Sequence, residues 1–335
     1  MEPLKFGIVG PGAIAAVVAD AIEKSKNTRL TAVASRSIEN ARAFVVKRDG
    51  VLPVQGIDAL LPHIDAVYIA TPTVAKEEIA LVAIAAGKHV LVDKPFASRE
   101  SVVRMIKAAA DKGVVFMDAT HFVHHPRTAA VKTTDQIGAP RSLHTAFYFP
   151  ISDSATNIRF NPDLEPMTAL GDMAWYSMRA VVEYLCPTGR VTKATTIAER
   201  DHNKAIIRAS GVIAFESGET STFDVGYTAG TVVMDLLLLG TTGIIEMDDF
   251  VLDWNASFPF RKSDIAIGYS HRTGMATRKE ATFVPTPTAT AQEVTMMEDF
   301  AELVVSGDNV KRTAYAEASI KTQEYVDAIW MAANS

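Results

Sequence analysis

Cysteine is nearly missing: Cys186 is the only one in 335 residues. No disulfide can form within one chain, which excludes a disulfide-stapled secreted scaffold. A long basic block is also missing. Lys and Arg number 33 against 39 Asp and Glu, a formal charge of −6, and this argues against nucleic acid as the main partner. No uninterrupted apolar run approaches the roughly 18 residues of a membrane span. The chain enters a strand-like run at Leu4–Val9 with no signal-peptide layout before it. These absences predict a cytoplasmic protein with neither nucleic acid nor membrane as partner. Internal repeats and low-complexity tracts are missing as well. What remains is a composition 48% hydrophobic and 21% charged, able to build a sizeable core. At roughly 150 residues per domain, the length suggests two domains.

The hydrophobic pattern changes near residue 120. Before it, short apolar runs at Leu4–Val9, Leu30–Ser35, Ala66–Ala70, His89–Val92 and Val114–Met117 read as buried strands. Helical patterns lie between them near Ala13–Lys24, Ile38–Lys47, Ala75–Ala86 and Arg99–Lys112. Ser98, or Ser101 beside it, suits the N-cap of the last. Such alternation builds a parallel sheet with helices on both faces. After residue 120 strands follow in close succession: Leu143–Phe149, Val191–Glu199, Ala205–Phe215, Thr220–Tyr227, Thr231–Leu239 and Gly243–Met247. Short connections there favour an antiparallel sheet, preceded by one helix at about Asp172–Leu185. Residues 255–290 read as a loop, and Met296–Val305 and Ala314–Ala332 as closing helices. The predicted domains are 1–120 and 121–335, with the C-terminal helix able to pack back on the first.

Gly10-Pro-Gly12-Ala13-Ile14-Ala15 follows the first strand and opens the first helix. This is G-x-G-x-x-A, a dinucleotide fingerprint in its proper strand–turn–helix setting. Gly10 makes the turn, Gly12 lets backbone approach a pyrophosphate, and the amides of Ala13 and Ile14 open the helix N-terminus toward it. An acid is expected about 20 residues on, to hold a ribose 2′-hydroxyl. Ser35 and Arg36 stand there instead. Arg36 can pair with a 2′-phosphate and Ser35 can donate to it, so NADP is favoured and NAD remains possible. The plainer reading of Arg36 is an exposed arginine at a strand end.

Ala70-Thr71-Pro72 and Gly87-Lys88-His89-Val90-Leu91-Val92-Asp93-Lys94-Pro95, followed by Gly171-Asp172-Met173-Ala174-Trp175-Tyr176, closely resemble the Gfo/Idh/MocA oxidoreductases. The Tyr form of the last motif is similar to dihydrodiol dehydrogenases and NADP-dependent aldose dehydrogenases. His125-Pro126-Arg127-Thr128 and Asn157-Ile158-Arg159 resemble further members. The resemblance implies an α/β fold, an N-terminal Rossmann doubly wound parallel sheet with a C-terminal α/β domain on an open, mostly antiparallel sheet. It implies hydride transfer between a nicotinamide and a hydroxyl or carbonyl carbon of a sugar or cyclic diol, and places Thr71, Pro72, Asp93 and Lys94 at the cofactor. It also implies a cis Lys94–Pro95 bond. Asp93 replaces the usual Glu, Ala174 the usual Gly, and Lys76 stands where many members have His.

Moving a hydroxyl proton requires a base, and the reverse reduction requires an acid. The resemblance makes Lys94 and Tyr176 that pair, with Asp172 as a third catalytic residue. A lysine ammonium stabilises developing alkoxide charge, and its charge draws a phenol down from a pKa near 10. Asp172 and Tyr176, four residues apart, share a helix face; Asp172 is equally suited to cap that helix. His121 and His124, after the last parallel strand, are candidates for substrate hydrogen bonds, with packing as the alternative. The H-x-x-H-H run lacks the nearby Cys or paired carboxylates of a metal site, so no metal is expected. Arg159 suits substrate or a surface ion pair, and Trp175 a sugar face or the core. The rival reading is a non-catalytic NAD(P)-sensing regulatory protein on the same fold. Alternating apolar strands in the second half leave a sheet face to cover, which predicts a homodimer or homotetramer.

Overall fold

The computed structural model describes residues 2–151, 157–257, 260 and 264–335. Two compact units emerge: Met1–His124 with Gln292–Ile320, and His125–Ala291 with Lys321–Ser335.

The first unit alternates β1 (Leu4–Val9), α1 (Ala13–Lys24), β2 (Thr28–Ser35), α2 (Ile38–Val45), β3 (Leu52–Gln55), α3 (Gly56–Leu60), β4 (Ala66–Ile69), α4 (Thr73–Ala85), β5 (His89–Val92), α5 (Arg99–Lys112) and β6 (Phe116–Asp118). The strands are all parallel in the order β3-β2-β1-β4-β5-β6, the doubly wound Rossmann order. Strands covered on both faces need no polar alternation, and all four residues of β4 are buried. The strand at Leu52–Gln55 has no counterpart in the sequence reading. It is an edge strand of half-exposed residues containing Pro53, and an edge is where a sheet tolerates proline. At α5 the Ser98 side chain, not that of Ser101, caps by accepting from the Ser101 amide at 3.3 Å. Helix α8 (Gln292–Ser306) packs on α1, with Phe300 against Phe6 at 5.4 Å between ring centroids.

The second unit holds α6 (Pro126–Thr133), β7 (Pro140–Tyr148), α7 (Thr168–Ala180), β8 (Val191–Arg200), β9 (Ile206–Phe215), β10 (Thr220–Gly226), β11 (Val233–Gly240), β12 (Gly243–Met247), β13 (Gly268–Thr273) and β14 (Thr282–Pro285). Their order is β14-β13-β12-β11-β7-β10-β9-β8, antiparallel except where β7 lies parallel to β10. Leu143, Thr145 and Phe147 of β7 face the buried side, and α7 covers β7, β9 and β10 there. The loop expected over 255–290 is corrected: it contains β13 and β14. Both lie at the end of the sheet, and three of the four β14 residues are exposed, so burial imposed no readable alternation. Within the loop expected over 255–290, residues 258–259 and 261–263 lie outside the described residues. A last helix, α9 (Asn309–Ala332), closes the chain. Among the described residues no helix is long and apolar enough to cross a membrane.

Candidate active site

In the first unit the strand order reverses between β1 and β4, the point where open α/β sheets bind ligands. Gly10 ends β1 with φ +91°. A Cβ there would sit 2.8 Å from the Ala70 carbonyl oxygen and 2.9 Å from the Thr71 nitrogen, so only glycine fits where the two strand ends meet. Gly12 is different: its φ is ordinary at −100°, and a Cβ would meet nothing within 4 Å. It caps α1 without a side-chain hydrogen bond to the helix, and the first turn carries no acid. The amides of Ala13 and Ile14 are therefore left for a ligand, the arrangement that receives a phosphate. Ala15 is fully buried beneath. Beside this cradle the Thr71 hydroxyl oxygen is buried with no hydrogen-bond partner, an orphan of the kind a bound group satisfies. These features fit a dinucleotide pyrophosphate.

Ser35 ends β2 and Arg36 is exposed beyond it. The Gln55 side chain holds the Arg36 carbonyl at 3.0 Å, a support the sequence reading missed because β3 was not seen. The nearest acid, Glu39, accepts from the Ser37 hydroxyl at 2.7 Å, and that hydrogen bond lowers its pKa.

Asp93 and Lys94 follow β5 and are half-buried. The Asp93 amide donates to the Ile69 carbonyl at 2.9 Å, tying this turn to the end of β4. The Lys94–Pro95 bond is cis, as the resemblance implied. On the far side of the turn, the buried Lys76 of α4 donates to the carbonyls of Lys94 and Pro95, both at 2.9 Å.

The three clustered histidines go three ways. His121 meets the Gln292 amide nitrogen at 2.7 Å. His124 meets the Asp299 carboxylate at 2.6 Å and stacks on Tyr315. Both are buried, and the His124 Nε2 has no hydrogen-bond partner. His125, in the second unit, caps α6 by accepting from the Arg127 amide at 3.0 Å.

In the second unit α7 begins at Thr168 and its N-cap is Met167. Asp172 lies past the first turn, so the capping alternative is ruled out. Its Oδ2 accepts from Arg159 Nε at 2.7 Å and from the Tyr227 hydroxyl at 3.2 Å. Arg159 sits on a single 3-10 turn, Ile158–Phe160, capped by the Asn157 side chain. Burial pushes the Tyr227 phenol well above 10, and the Asp172 charge adds to it. The phenol stays protonated and donates to the carboxylate. Tyr227 had no motif to announce it; it follows the last residue of β10. Tyr176, one turn after Asp172, packs edge-to-face on Phe147 at 5.4 Å. Trp175 is completely buried. Of its two alternatives, a sugar face or the core, this burial favours the core.

Residues 4–120 match the family model described as an oxidoreductase family with an NAD-binding Rossmann fold. The chain is 32% identical over 232 residues to a dTDP-3,4-didehydro-2,6-dideoxy-alpha-D-glucose 3-reductase of Actinomadura kijaniata, covering 67% of this chain and 69% of that one. It is 34% identical over 233 residues to D-xylose 1-dehydrogenase (NADP(+)) 2 of Haloferax volcanii, covering 66% and 70%. Among solved structures, the 3-ketoreductase KijD10 from Actinomadura kijaniata with NADP and TDP-benzene superposes with a TM-score of 0.85 at 27% identity, over 99% of this chain and 98% of that one. The glycine cradle, the Lys94 turn and these relatives agree: the chain belongs to the Gfo/Idh/MocA family of oxidoreductases.

Proposed function

We propose that the protein is an NADP-dependent oxidoreductase acting on a CH–OH or keto carbon of a sugar. The observation that carries the cofactor assignment is the β1–α1 cradle beside the unpartnered Thr71 hydroxyl, with Arg36 rather than an acid beyond β2. When bound, the nicotinamide supplies or accepts the hydride. The chain's own residues divide the remaining work. Ala13, Ile14 and Thr71 hold phosphate oxygens, and Arg36 with Ser35 reads the 2′-phosphate. Lys94 donates a hydrogen bond to the reacting oxygen and stabilises its negative charge. Tyr176 gives or takes the proton at that oxygen. Asp172 orients substrate hydroxyls from a position fixed by Arg159 and Tyr227.

The relatives named above support the sugar assignment: one reduces a dTDP-linked keto-sugar and another oxidises D-xylose. Cyclic diols belong to the same proposal as a second alcohol class. A panel of pyranoses, pentoses, cyclic diols and a dTDP-linked keto-sugar, followed by nicotinamide absorbance with NADP(H) and NAD(H), tests it. Turnover of a sugar with NADP(H) is expected; turnover confined to NAD(H) would overturn the role of Arg36.

The proposal extends to a cytoplasmic homodimer or homotetramer. The face of the eight-stranded sheet away from α7 carries Ile197, 78% exposed, and Val212 on neighbouring strands, and a second copy of the chain would cover them. Sedimentation should give a dimeric or tetrameric mass at micromolar concentration, and a monomeric mass would contradict this part.

A further inference from the structure

Lys76 is 3% exposed, and a buried ammonium is costly unless its donors are met. Its Nζ donates to the Lys94 carbonyl at 2.9 Å, to the Pro95 carbonyl at 2.9 Å and to the Thr73 hydroxyl at 3.4 Å. A methionine would fill the same volume without that cost but could not donate to the two carbonyls. These two hydrogen bonds grip successive carbonyls of the segment that carries Lys94. On the other side, the Asp93 amide is fixed to the Ile69 carbonyl at 2.9 Å. The Lys94 backbone is thus pinned from β4 and from α4, and its side chain starts from a fixed point.

We infer that Lys76 is a positioning residue for Lys94: it sets where the Lys94 ammonium stands and does not itself touch the reacting atoms. This rests on the reading of Lys94 given above. Positioning errors of about 1 Å can cost on the order of a hundredfold in rate, so the effect should fall on kcat and spare the phosphate cradle.

The test compares Lys76→Met, Lys76→Gln, Lys76→Arg and Lys94→Met in the full-length protein. It measures kcat and KM for the best sugar of the panel, NADP(H) affinity by fluorescence titration, and the thermal unfolding midpoint. Lys76→Met should lower kcat at least tenfold with the NADP(H) Kd within twofold of the parent. Lys76→Arg, which keeps the charge and the donors, should recover much of the loss. Should the Met variant fail to fold, Lys76→Gln decides, since its uncharged side chain is one bond shorter and does not bring a donor to both carbonyls as the Lys76 ammonium does. A kcat lowered about threefold or more at unchanged Kd supports the inference. A folded Lys76→Met or Lys76→Gln enzyme with parental kcat, beside an inactive Lys94→Met, overturns the role of Lys76 alone. A loss confined to Kd assigns Lys76 to the cofactor cradle and overturns it equally. An active Lys94→Met removes the reading beneath it.

Discussion

The two units present functional groups in opposite ways. In the first, the groups proposed to hold a ligand are backbone amides and short side chains at strand ends: Gly10, Gly12, Ala13, Ile14 and Thr71. Their places follow from the chain path, because a left-handed glycine, a helix start and a strand-order reversal leave few alternatives. In the second, the groups are long side chains that hold each other. Arg159 and Tyr227 fix Asp172 from 13 residues before it and 55 after it. A backbone site survives many substitutions around it, whereas a side-chain site weakens with each partner removed. Lys94 stands between these extremes, a side chain whose backbone is held by Lys76.

The strongest attempt to break this comparison is Lys94→Met against Tyr176→Phe. Each should lower kcat by roughly 10²–10⁴-fold, the range of general acid–base contributions. NADP affinity should persist in both, since the cradle is backbone. Loss of NADP binding with Tyr176→Phe would show that the second unit also builds the cofactor site.

Acid tests whether the polar interior of the second unit carries a cost. Burial, with the nearby Arg127 charge, lowers the His125 pKa to about 4, against the ordinary 6.5. Between those values the unfolded chain binds a proton that the native ring refuses. Stability therefore falls as pH drops from 6.5 to 4, by up to about 3 kcal/mol for this group. His125→Asn keeps a cap acceptor for α6 and should flatten the slope of urea unfolding free energy over that window. An unchanged slope would acquit His125.

Arg36→Ala sharpens the comparison within the first unit. Losing a charge-assisted contact of about 1.5–3 kcal/mol should weaken NADP binding by roughly 10- to 100-fold and leave NAD nearly unaffected. Equal losses for both nucleotides would make Arg36 a general support. The smallest effect is expected of Tyr227→Phe. It removes one hydrogen bond from Asp172, worth about 1 kcal/mol, and should change sugar kcat/KM by several-fold with NADP affinity constant. A matching drop in NADP affinity would contradict the separation of roles.

The legibility of the sequence follows the same division. The bounds of β1, α1, β5, α5 and β12 agree with the hydrophobic pattern, because each is framed by burial or by a capping signal. β3, β13 and β14 were hidden because short, partly exposed strands at or next to a sheet edge carry no period. At the site, Gly10 was readable because its left-handed turn and the close approach of the Ala70 carbonyl demand glycine. The Arg159–Asp172–Tyr227 cluster was not, since its members meet only through tertiary folding. Both Arg159 and Asp172 were singled out, but as separate groups with separate tasks. Trp175 is a motif neighbour that the helix turns wholly into the core, the plainer of its two readings. Lys76 was visible only as a departure from the resembling sequences, and its purpose required the carbonyl distances.

The central claim is that the cradle and the Lys94 and Tyr176 side chains serve one NADP-linked reaction on a sugar. The most direct measurement follows nicotinamide absorbance with the parent protein, Lys94→Met and Tyr176→Phe, while NADP(H) binding is titrated on the same samples. NADP(H)-dependent turnover of one sugar class by the parent is expected, with kcat collapsed in both variants at preserved binding. Tight NADP(H) binding by the parent without turnover of any sugar, diol or dTDP-linked keto-sugar would contradict it and favour a nicotinamide sensor.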